Sequence, residues 1–341
     1  MSAATELVSV VIPAYNAAET LNETLSSVRA QTHRALDVII VDDGSRDDTP
    51  AIAARHVRDD SRLRLITQKN AGAAVARNHA IAVARGELIA PIDADDLWRP
   101  DKIARQLEVL RRSGPKVGLV YTWFASIDRK SRVTSLSHRP EADGDVMRQM
   151  CQSNLVGNGS SPLMPKRVLT EVGGYDPQQP HFCEDLSLYL RIAERYRFAV
   201  VRDHLTGYRQ TTGSMSNRTV EMLRAHDRVL AEFRPRYPQY AAEFDAAHAD
   251  MVRWLFRKAV KAGKLREARL LYTAALKIST RFAAGLVFDE VEDWDKGLRG
   301  RIGSTLTRGV STAFGGGRRS SIYFLESAVA VAVKAISCSI L

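Results

Sequence analysis

The sequence predicts an α/β protein, a doubly wound and mostly parallel sheet with helices on both faces, followed by a helical C-terminal extension. Three observations predict it. Over residues 1–123, short apolar runs alternate with stretches of helical period, and that repeated alternation builds a parallel sheet. The runs, such as VVIP and VIIV, are apolar at consecutive positions, as strands covered on both faces must be. Beyond residue 217 the strand pattern stops and helical periods remain.

The elements follow in order. SVVIPAY is the first strand and leads into a helix over about 18–31. DVIIVDD is the second, with a helix over about 48–58, where Asp48 ahead of Thr49 and Pro50 supplies a cap and a first-turn proline. RLRLIT precedes a helix over about 73–84, LIAPID precedes one over 100–112 that opens on Pro100 and Asp101, and GLVYTWF closes this half. Residues 124–217 are less regular: SHRPEADGD and GNGSSP read as loops, before KRVLTEVGGYDP and the helical CEDLSLYLRIAERY. Loops of this kind often shape binding sites. Helices over about 219–233 and 241–262 flank a break at RPRYP, and LREARLLYTAALKI places Leu265, Ala268, Tyr272, Ala275 and Ile278 on one face. That hairpin resembles a single helical repeat without a second copy. AFGGGRRSS reads as a flexible joint. The expected organisation is a domain over 1–217, divided into halves 1–123 and 124–217, and a basic helical region over 218–341.

With 341 residues and 45% hydrophobic content, the chain has enough material for one large domain and an appendage. Cys151, Cys183 and Cys338 form neither a disulfide framework nor a paired metal motif, which fits a reducing compartment. MSAATELVSVVIPAYN has no basic stretch ahead of an apolar core, so a secretory leader is not expected. Nor is there a run of about 18 uncharged apolar residues to span a bilayer. The net charge of +10 is lopsided, because residues 218–341 hold 21 Lys and Arg against 13 Asp and Glu. Such an excess suggests an anionic surface, membrane or nucleic acid, unless it is only a solvated helical face.

In open sheets of this type, ligands bind outside the carboxyl ends of the strands. PAYN, VDDGS and DADD follow the first, second and fourth strands, so they are expected to converge. PIDADDLW crowds three carboxylates into four positions, and like charges that close raise one another's pKa. A hard divalent cation would relieve them. Mg²⁺ or Mn²⁺ takes oxygen ligands and keeps positions open for phosphate oxygens, and Asp93 and Asp95 can reach one such ion. Capping of the helix begun at Pro100 is the alternative, which accounts for one Asp but not three. Asp42 and Asp43 fall in an Asp-Gly turn, yet a carboxylate at that rim can also accept a ring N–H, with a neighbour holding ribose hydroxyls. Lys69 and Arg77 flank a glycine turn, and Arg77 suits either a bidentate phosphate contact or a surface salt bridge. Glu184 and Asp185 open a helix, where acids favour the dipole or where one acts as general base toward an acceptor hydroxyl.

Taken together, VSVVIPAYNAAETLNETLSSVRAQT, VIIVDDGSRDDT, NAGAAVARNHAIAVARGELIAPIDADDLWRPDKIARQLEVL, LTEVGGYDP and CEDLSLYLRIA resemble the successive signatures of the inverting glycosyltransferases of family 2. The resemblance covers about 7–217 and implies the GT-A fold. It implies that Pro13, beside Tyr15 and Asn16 in PAYN, lies against a nucleotide base that Asp43 contacts by hydrogen bond. Asp93 and Asp95 match the DxD motif, Asp95 as metal ligand and Asp93 as the carboxylate on the nucleotide side and a second ligand. Asp185 matches the aspartate of the ED motif, the expected catalytic base. Asp42, Lys69, Arg77 and Trp98 complete the expected nucleotide-sugar contacts, although Trp98 equally suits packing beneath its helix. One departure stands out: where the family often has YRxH, this chain has YRQT, with Thr211 at the histidine position.

The implied reaction is transfer of a sugar, with inversion, from a nucleotide-diphosphate donor to an acceptor hydroxyl, in cell-surface polysaccharide or glycolipid synthesis. The implied partners are a UDP-sugar or related donor, a saccharide or lipid-linked saccharide acceptor and an anionic membrane surface, with no nucleic acid. The implied location is cytoplasmic, peripheral at the inner face of the plasma membrane. KGLRGRIGSTLTRGV and IYFLESAVAVAVKAISCSIL, the latter interrupted by Glu326 and Lys334, would lie on that surface or pack onto the catalytic domain. The rival from another class is a catalytically silent nucleotide-binding scaffold. A nucleotidyltransferase would also use a metal on such a sheet, but its glycine-rich phosphate loop is missing.

Overall fold

A computed structural model describes residues 6–137, 139–178, 182–210 and 218–287. The strands are β1 (Val8–Ala14), β2 (Leu36–Asp42), β3 (Leu63–Thr67), β4 (Leu88–Pro91), β5 (Leu97–Trp98), β6 (Val117–Ile127), β7 (Val133–Leu136), β8 (Met164–Pro165) and β9 (Arg197–Arg209). The helices are α1 (Leu21–Arg29), α2 (Thr49–Asp59), α3 (Ala73–Val83), α4 (Lys102–Ser113), α5 (Met147–Gln152), α6 (Lys166–Val172), α7 (Glu184–Ala193), α8 (Thr219–Phe233), α9 (Ala241–Lys261) and α10 (Leu265–Ile278). They fall into two compact units, 1–248 and 249–341, the second described as far as residue 287.

The first unit is the expected α/β architecture. Its main sheet has the order β3-β2-β1-β4-β8, with the first four strands parallel and β8 antiparallel to β4. Successive side chains of a strand point to opposite faces, and each face finds its own apolar layer. Val8, Val10 and Ile12 of β1 join Val38 and Ile40 of β2 against Leu21, Leu25, Ile52, Ile103 and Leu107 from α1, α2 and α4. Val11, Ile39 and Val41 point the other way, into a core with Ala76 and Ala80 of α3 and Leu188 and Ile192 of α7. Each fully buried Val, Leu or Ile contributes about 1.5–3 kcal/mol, so the consecutive apolar run is what holds helices on both sides. The second core also takes in Ala225, Val229 and Phe233 of α8 and Phe244 of α9.

GLVYTWF, expected as the fifth strand of one sheet, instead builds a second sheet of order β5-β9-β6-β7. The seat beside β4 goes to the short β8, through Leu88↔Pro165 and Ile89↔Met164, while β6 runs parallel to β9. An apolar run specifies that a strand is buried, not which neighbour it takes. The two expected helix caps also differ. Neither Asp48 nor Asp101 makes a side-chain cap bond; at α2, Asp47 Oδ1 accepts from the Thr49 amide at 3.0 Å and its hydroxyl at 2.5 Å.

The register sets the level of the rim. Ala14 lies beside Asp42 and Val11 beside Pro91, and the Asp43 amide donates to the Ala14 carbonyl. PAYN, DDGS and DADD therefore leave the sheet along one edge, as expected from their strand ends.

In the second unit, α10 buries Ala268, Leu271 and Ala275, and Tyr272 stands 6.3 Å from Phe256 of α9 between ring centroids. This corrects the expected face: Leu265 is 74% exposed and Ile278 is exposed, because the helix turns Leu271 inward instead. No helix among the described residues is long and apolar enough to cross a membrane.

Candidate active site

The turn after β4 gives its three carboxylates three different environments. Asp96 is completely buried; Oδ2 accepts from Ser160 Oγ at 2.5 Å and Oδ1 from the Arg209 amide at 2.8 Å. Burial, with Asp95 and Asp93 beside it, pushes its pKa well up, so it acts as an internal tie of the turn. Asp93 Oδ1 accepts from Arg77 at 2.5 Å, and the Asp93 amide donates to Ser160 Oγ at 2.9 Å. The Asp95 carbonyl accepts from Arg209 Nε at 2.6 Å. Its carboxylate receives no comparable side-chain donor among the described residues, and burial together with Asp93 pushes its pKa up to about 6. The chain thus supplies two arginines to the crowded acids and leaves Asp95 with a surplus of negative charge.

Arg77, on α3, is 4% exposed. It pairs with Asp93 and, at 2.9 Å, with Glu184 Oε1, and its guanidinium lies 5.1 Å from the centre of the Tyr175 ring. The two settings expected for it were a phosphate contact and a surface salt bridge; its salt bridges are buried. The triad ties the turn after β4 to the start of α7, and removing one member of such a buried set costs about 3–5 kcal/mol.

Asp185, next to Glu184 in the first turn of α7, is half-buried. Its Oδ1 accepts from the Leu186 amide at 2.7 Å. Burial first and the Glu184 charge second push its pKa up to about 7, against the opposite pull of that amide and of Arg77. A carboxylate poised near neutrality is suited to proton transfer. The helix start therefore holds two unlike acids, one paired with arginine and one available.

The nucleotide-side expectations are placed as follows. Asp42 is buried and accepts from the Ser45 amide at 3.2 Å. Asp43, also buried, accepts from Gln68 Nε2, the Ala71 amide and the Gly72 amide at 2.8–2.9 Å, so it shapes the loop into α3. A carboxylate offers about four acceptor sites, and one remains. Asn16 takes the left-handed conformation, φ +48°; its Oδ1 accepts from the Arg46 amide and its own amide donates to Ser45 Oγ, stitching PAYN to DDGSR. Pro13 is half-buried at the end of β1, and Tyr15 and Lys69 are exposed. Trp98 is buried, with Nε1 donating to the Ser160 carbonyl at 2.8 Å and the Lys102 ammonium 4.1 Å from its ring centre, which is the packing setting.

Sequence reasoning missed Asp96, Ser160, Asn158, Tyr175 and Arg209. GNGSSP reads only as a loop from its sequence, yet a Cβ on Gly159 would stand 3.2 Å from both Arg77 and Asp93, and the glycine permits that approach. Asn158 Oδ1 accepts from the Ser160 amide and Ser161 Oγ. Arg77 Nε, Asn158 Nδ2 and the Tyr175 hydroxyl are buried without hydrogen-bond partners among the described residues. A run of small polar residues between glycines was the available signal. Thr211 and the basic end over 288–341 lie outside the described residues.

A divalent cation fits this donor set. Asp93 and Asp95 offer oxygen, the Asp95 carboxylate forms no ion pair among the described residues, and no group of three His, Cys, Asp or Glu among them could form a metal cage. A site of one or two carboxylates is what Mg²⁺ uses when phosphate oxygens and water supply the rest.

Comparison with known proteins bears on the family and the fold. Residues 9–169 match the family model described as glycosyl transferase family 2. Over that stretch the chain is similar to the family. It is 43% identical over 105 residues to a Bacillus subtilis (strain 168) protein named as a teichuronic acid biosynthesis glycosyltransferase, covering 30% of this chain and 42% of that one. It is 39% identical over 129 residues to the chondroitin synthase of Escherichia coli, covering 38% of this chain and 19% of that one. Less than half of either relative is thus spanned. Among solved structures, the mannosyltransferase PcManGT from Pyrobaculum calidifontis, in complex with GDP-Man and Mn²⁺, has TM-score 0.54 at 23% identity, over 86% of this chain and 90% of that one. S. aureus TarS 1-349 in complex with UDP-GlcNAc has TM-score 0.54 at 14% identity, over 80% and 92%. At those identities the likeness concerns the fold, which is GT-A.

Proposed function

We propose that this chain is an inverting glycosyltransferase that moves a sugar from a nucleotide-diphosphate donor, a UDP-sugar foremost, to an acceptor hydroxyl in cell-surface polysaccharide or glycolipid synthesis. The observation that carries the proposal is Asp185, a carboxylate with pKa raised to about 7 in a cluster with the acids of the β4 turn. Asp185 removes the acceptor proton as the hydroxyl oxygen bonds to the anomeric carbon. The bond to the diphosphate oxygen breaks on the opposite face, so the configuration inverts. Arg77 holds Asp93 and Glu184 in place; Pro13, Tyr15, Asn16, Asp42, Asp43 and Lys69 form the nucleotide side. Asp93 and Asp95 would hold Mg²⁺ or Mn²⁺, which when bound supplies positive charge beside the leaving diphosphate.

The donor class is supported by the GDP-Man and UDP-GlcNAc complexes of the two solved relatives. The acceptor class is supported by the names of the two curated relatives. Peripheral docking at an anionic membrane surface is supported by charge: residues 249–287 carry nine Lys and Arg against two Asp and Glu.

The test is transfer from a panel of UDP- and GDP-sugars, with Mn²⁺, to saccharide and lipid-linked acceptors, using wild type and Asp185→Asn. Wild-type transfer with inverted product, lost in Asp185→Asn while nucleotide affinity is kept, supports the proposal. Nucleotide and Mn²⁺ binding by wild type with no turnover on any pair would overturn it in favour of a silent scaffold.

A further inference from the structure

Arg209, the last residue of β9, is 1% exposed and heads the fully buried large side chains. Its hydrogen bonds join three segments far apart in sequence. Nε donates to the Asp95 carbonyl at 2.6 Å, and the Arg209 amide donates to Asp96 Oδ1 at 2.8 Å. One terminal nitrogen donates to the Asp128 carbonyl at the tip of the β6–β7 hairpin, at 2.9 Å. The other donates to Glu23 Oε2 of α1 at 2.9 Å and to Ser131 Oγ at 3.1 Å.

Ser131 adds a second, independent sign. It holds the left-handed conformation at φ +60°, which costs a non-glycine residue about 1 kcal/mol or more and persists only where the surroundings enforce it. Its hydroxyl donates to Glu23 Oε1 at 2.6 Å, closing a ring of Arg209, Glu23 and Ser131. If the only requirement were to fill space, an apolar side chain would serve with less desolvation. What the guanidinium alone provides is a rigid fork that reaches the backbone of the DADD turn and the hairpin tip at once.

We propose that Arg209 is a positioning residue for Asp95: by holding the Asp95 carbonyl and the Asp96 side chain, it fixes the turn that presents Asp95 to a divalent cation shared with the donor diphosphate. Glu23 and Ser131 hold the fork from the solvent side. This rests on the function proposed above, and the experiment separates the two.

UDP and GDP binding are measured by calorimetry with and without Mn²⁺, on wild type, Arg209→Lys, Glu23→Gln and Ser131→Ala, with melting temperatures alongside. The Mn²⁺-dependent gain in affinity falls about tenfold or more in Arg209→Lys, as for partners that orient metal ligands. Weakening the outer contacts of the fork in Glu23→Gln or Ser131→Ala lowers it about threefold. Metal-free nucleotide affinity stays within about twofold of wild type throughout, which a general loss of structure would not allow. Because Glu23 is exposed and Ser131 lies at a hairpin tip, those two variants decide the question if Arg209→Lys fails to fold. An undiminished Mn²⁺-dependent gain in the folded variants, or an equal fall with and without Mn²⁺, overturns the positioning role. A wild type whose nucleotide affinity ignores Mn²⁺ overturns the metal part of the functional proposal and this inference with it.

Discussion

The two ends of the main sheet both bury carboxylates, and they treat them in opposite ways. At the amino end of β2, Asp37 is 4% exposed and receives four donors: Ser9 Oγ at 2.8 Å, Arg64 Nε and a terminal nitrogen at 3.0 and 3.1 Å, and the Arg85 amide at 2.9 Å. Ser9 in turn accepts from the Gly86 amide, where an added Cβ would come within 2.5 Å of the Leu7 carbonyl oxygen. At the carboxyl end, Asp95 and Asp185 are half-buried and receive fewer donors, and both are pushed upward in pKa. Buried charge with its acceptors filled is a structural tie. Buried charge left short of donors is held for something that arrives.

That contrast can be broken by mutation, and the largest effect is expected at the rim. Asp185→Asn removes the proposed base and should lower transfer by about 10²–10⁴-fold with nucleotide affinity retained; a rate within a few-fold of wild type would remove Asp185 from the chemistry. Arg77→Met strands Asp93 and Glu184 together, so unfolding in urea should show a loss of about 3–5 kcal/mol; an unchanged midpoint would mean the triad is not a tie.

At the opposite end, Asp37→Asn leaves Arg64 without its charge partner. Chemical denaturation should report a loss of about 1–3 kcal/mol, with nucleotide affinity unchanged. If Asp37→Asn impaired nucleotide binding while leaving stability alone, the division between the two ends would fail.

Two smaller effects sharpen the comparison. The proposed base works deprotonated and the Asp185 pKa is raised to about 7, so kcat/KM should rise with pH through about 7 and level off above. Glu184→Gln removes the like charge beside it, lowering that pKa and moving the acid limb to lower pH; a shift upward would contradict the assigned cause. The same elevation bears on stability. A carboxyl whose folded pKa lies above its unfolded value of 3.8 holds its proton longer in the folded state, so its contribution weakens as pH rises from about 4 to 7. Asp185→Asn should therefore melt a few degrees higher at pH 8, by about 2–4 °C per kcal/mol, and the difference should shrink toward pH 4.

The order of β1, α1, β2, α2, β3, α3 and β4 was legible because each strand is a near-continuous apolar run and each helix has its own period. Helix bounds shifted by one to three residues at most ends, the Asp48 and Asp101 caps did not form, and Leu271 rather than Leu265 faces inward in α10. These are differences of local competition. Asp47 takes the amide that Asp48 was expected to hold, and packing chooses among several amphipathic faces of a leucine-rich helix.

By itself, the sequence determined that a two-faced parallel sheet would form and that PAYN, DDGS and DADD would gather at its rim. Both follow from side-chain period along one segment and from strand direction. Only the tertiary structure decided that β6 joins β9 in a second sheet, that Arg77 serves Asp93 and Glu184, and that Arg209 carries the DADD turn. Those pairings join residues from 16 to more than 100 positions apart. Their partners are selected by burial and hydrogen-bond geometry after the chain has closed, and no local pattern encodes that selection.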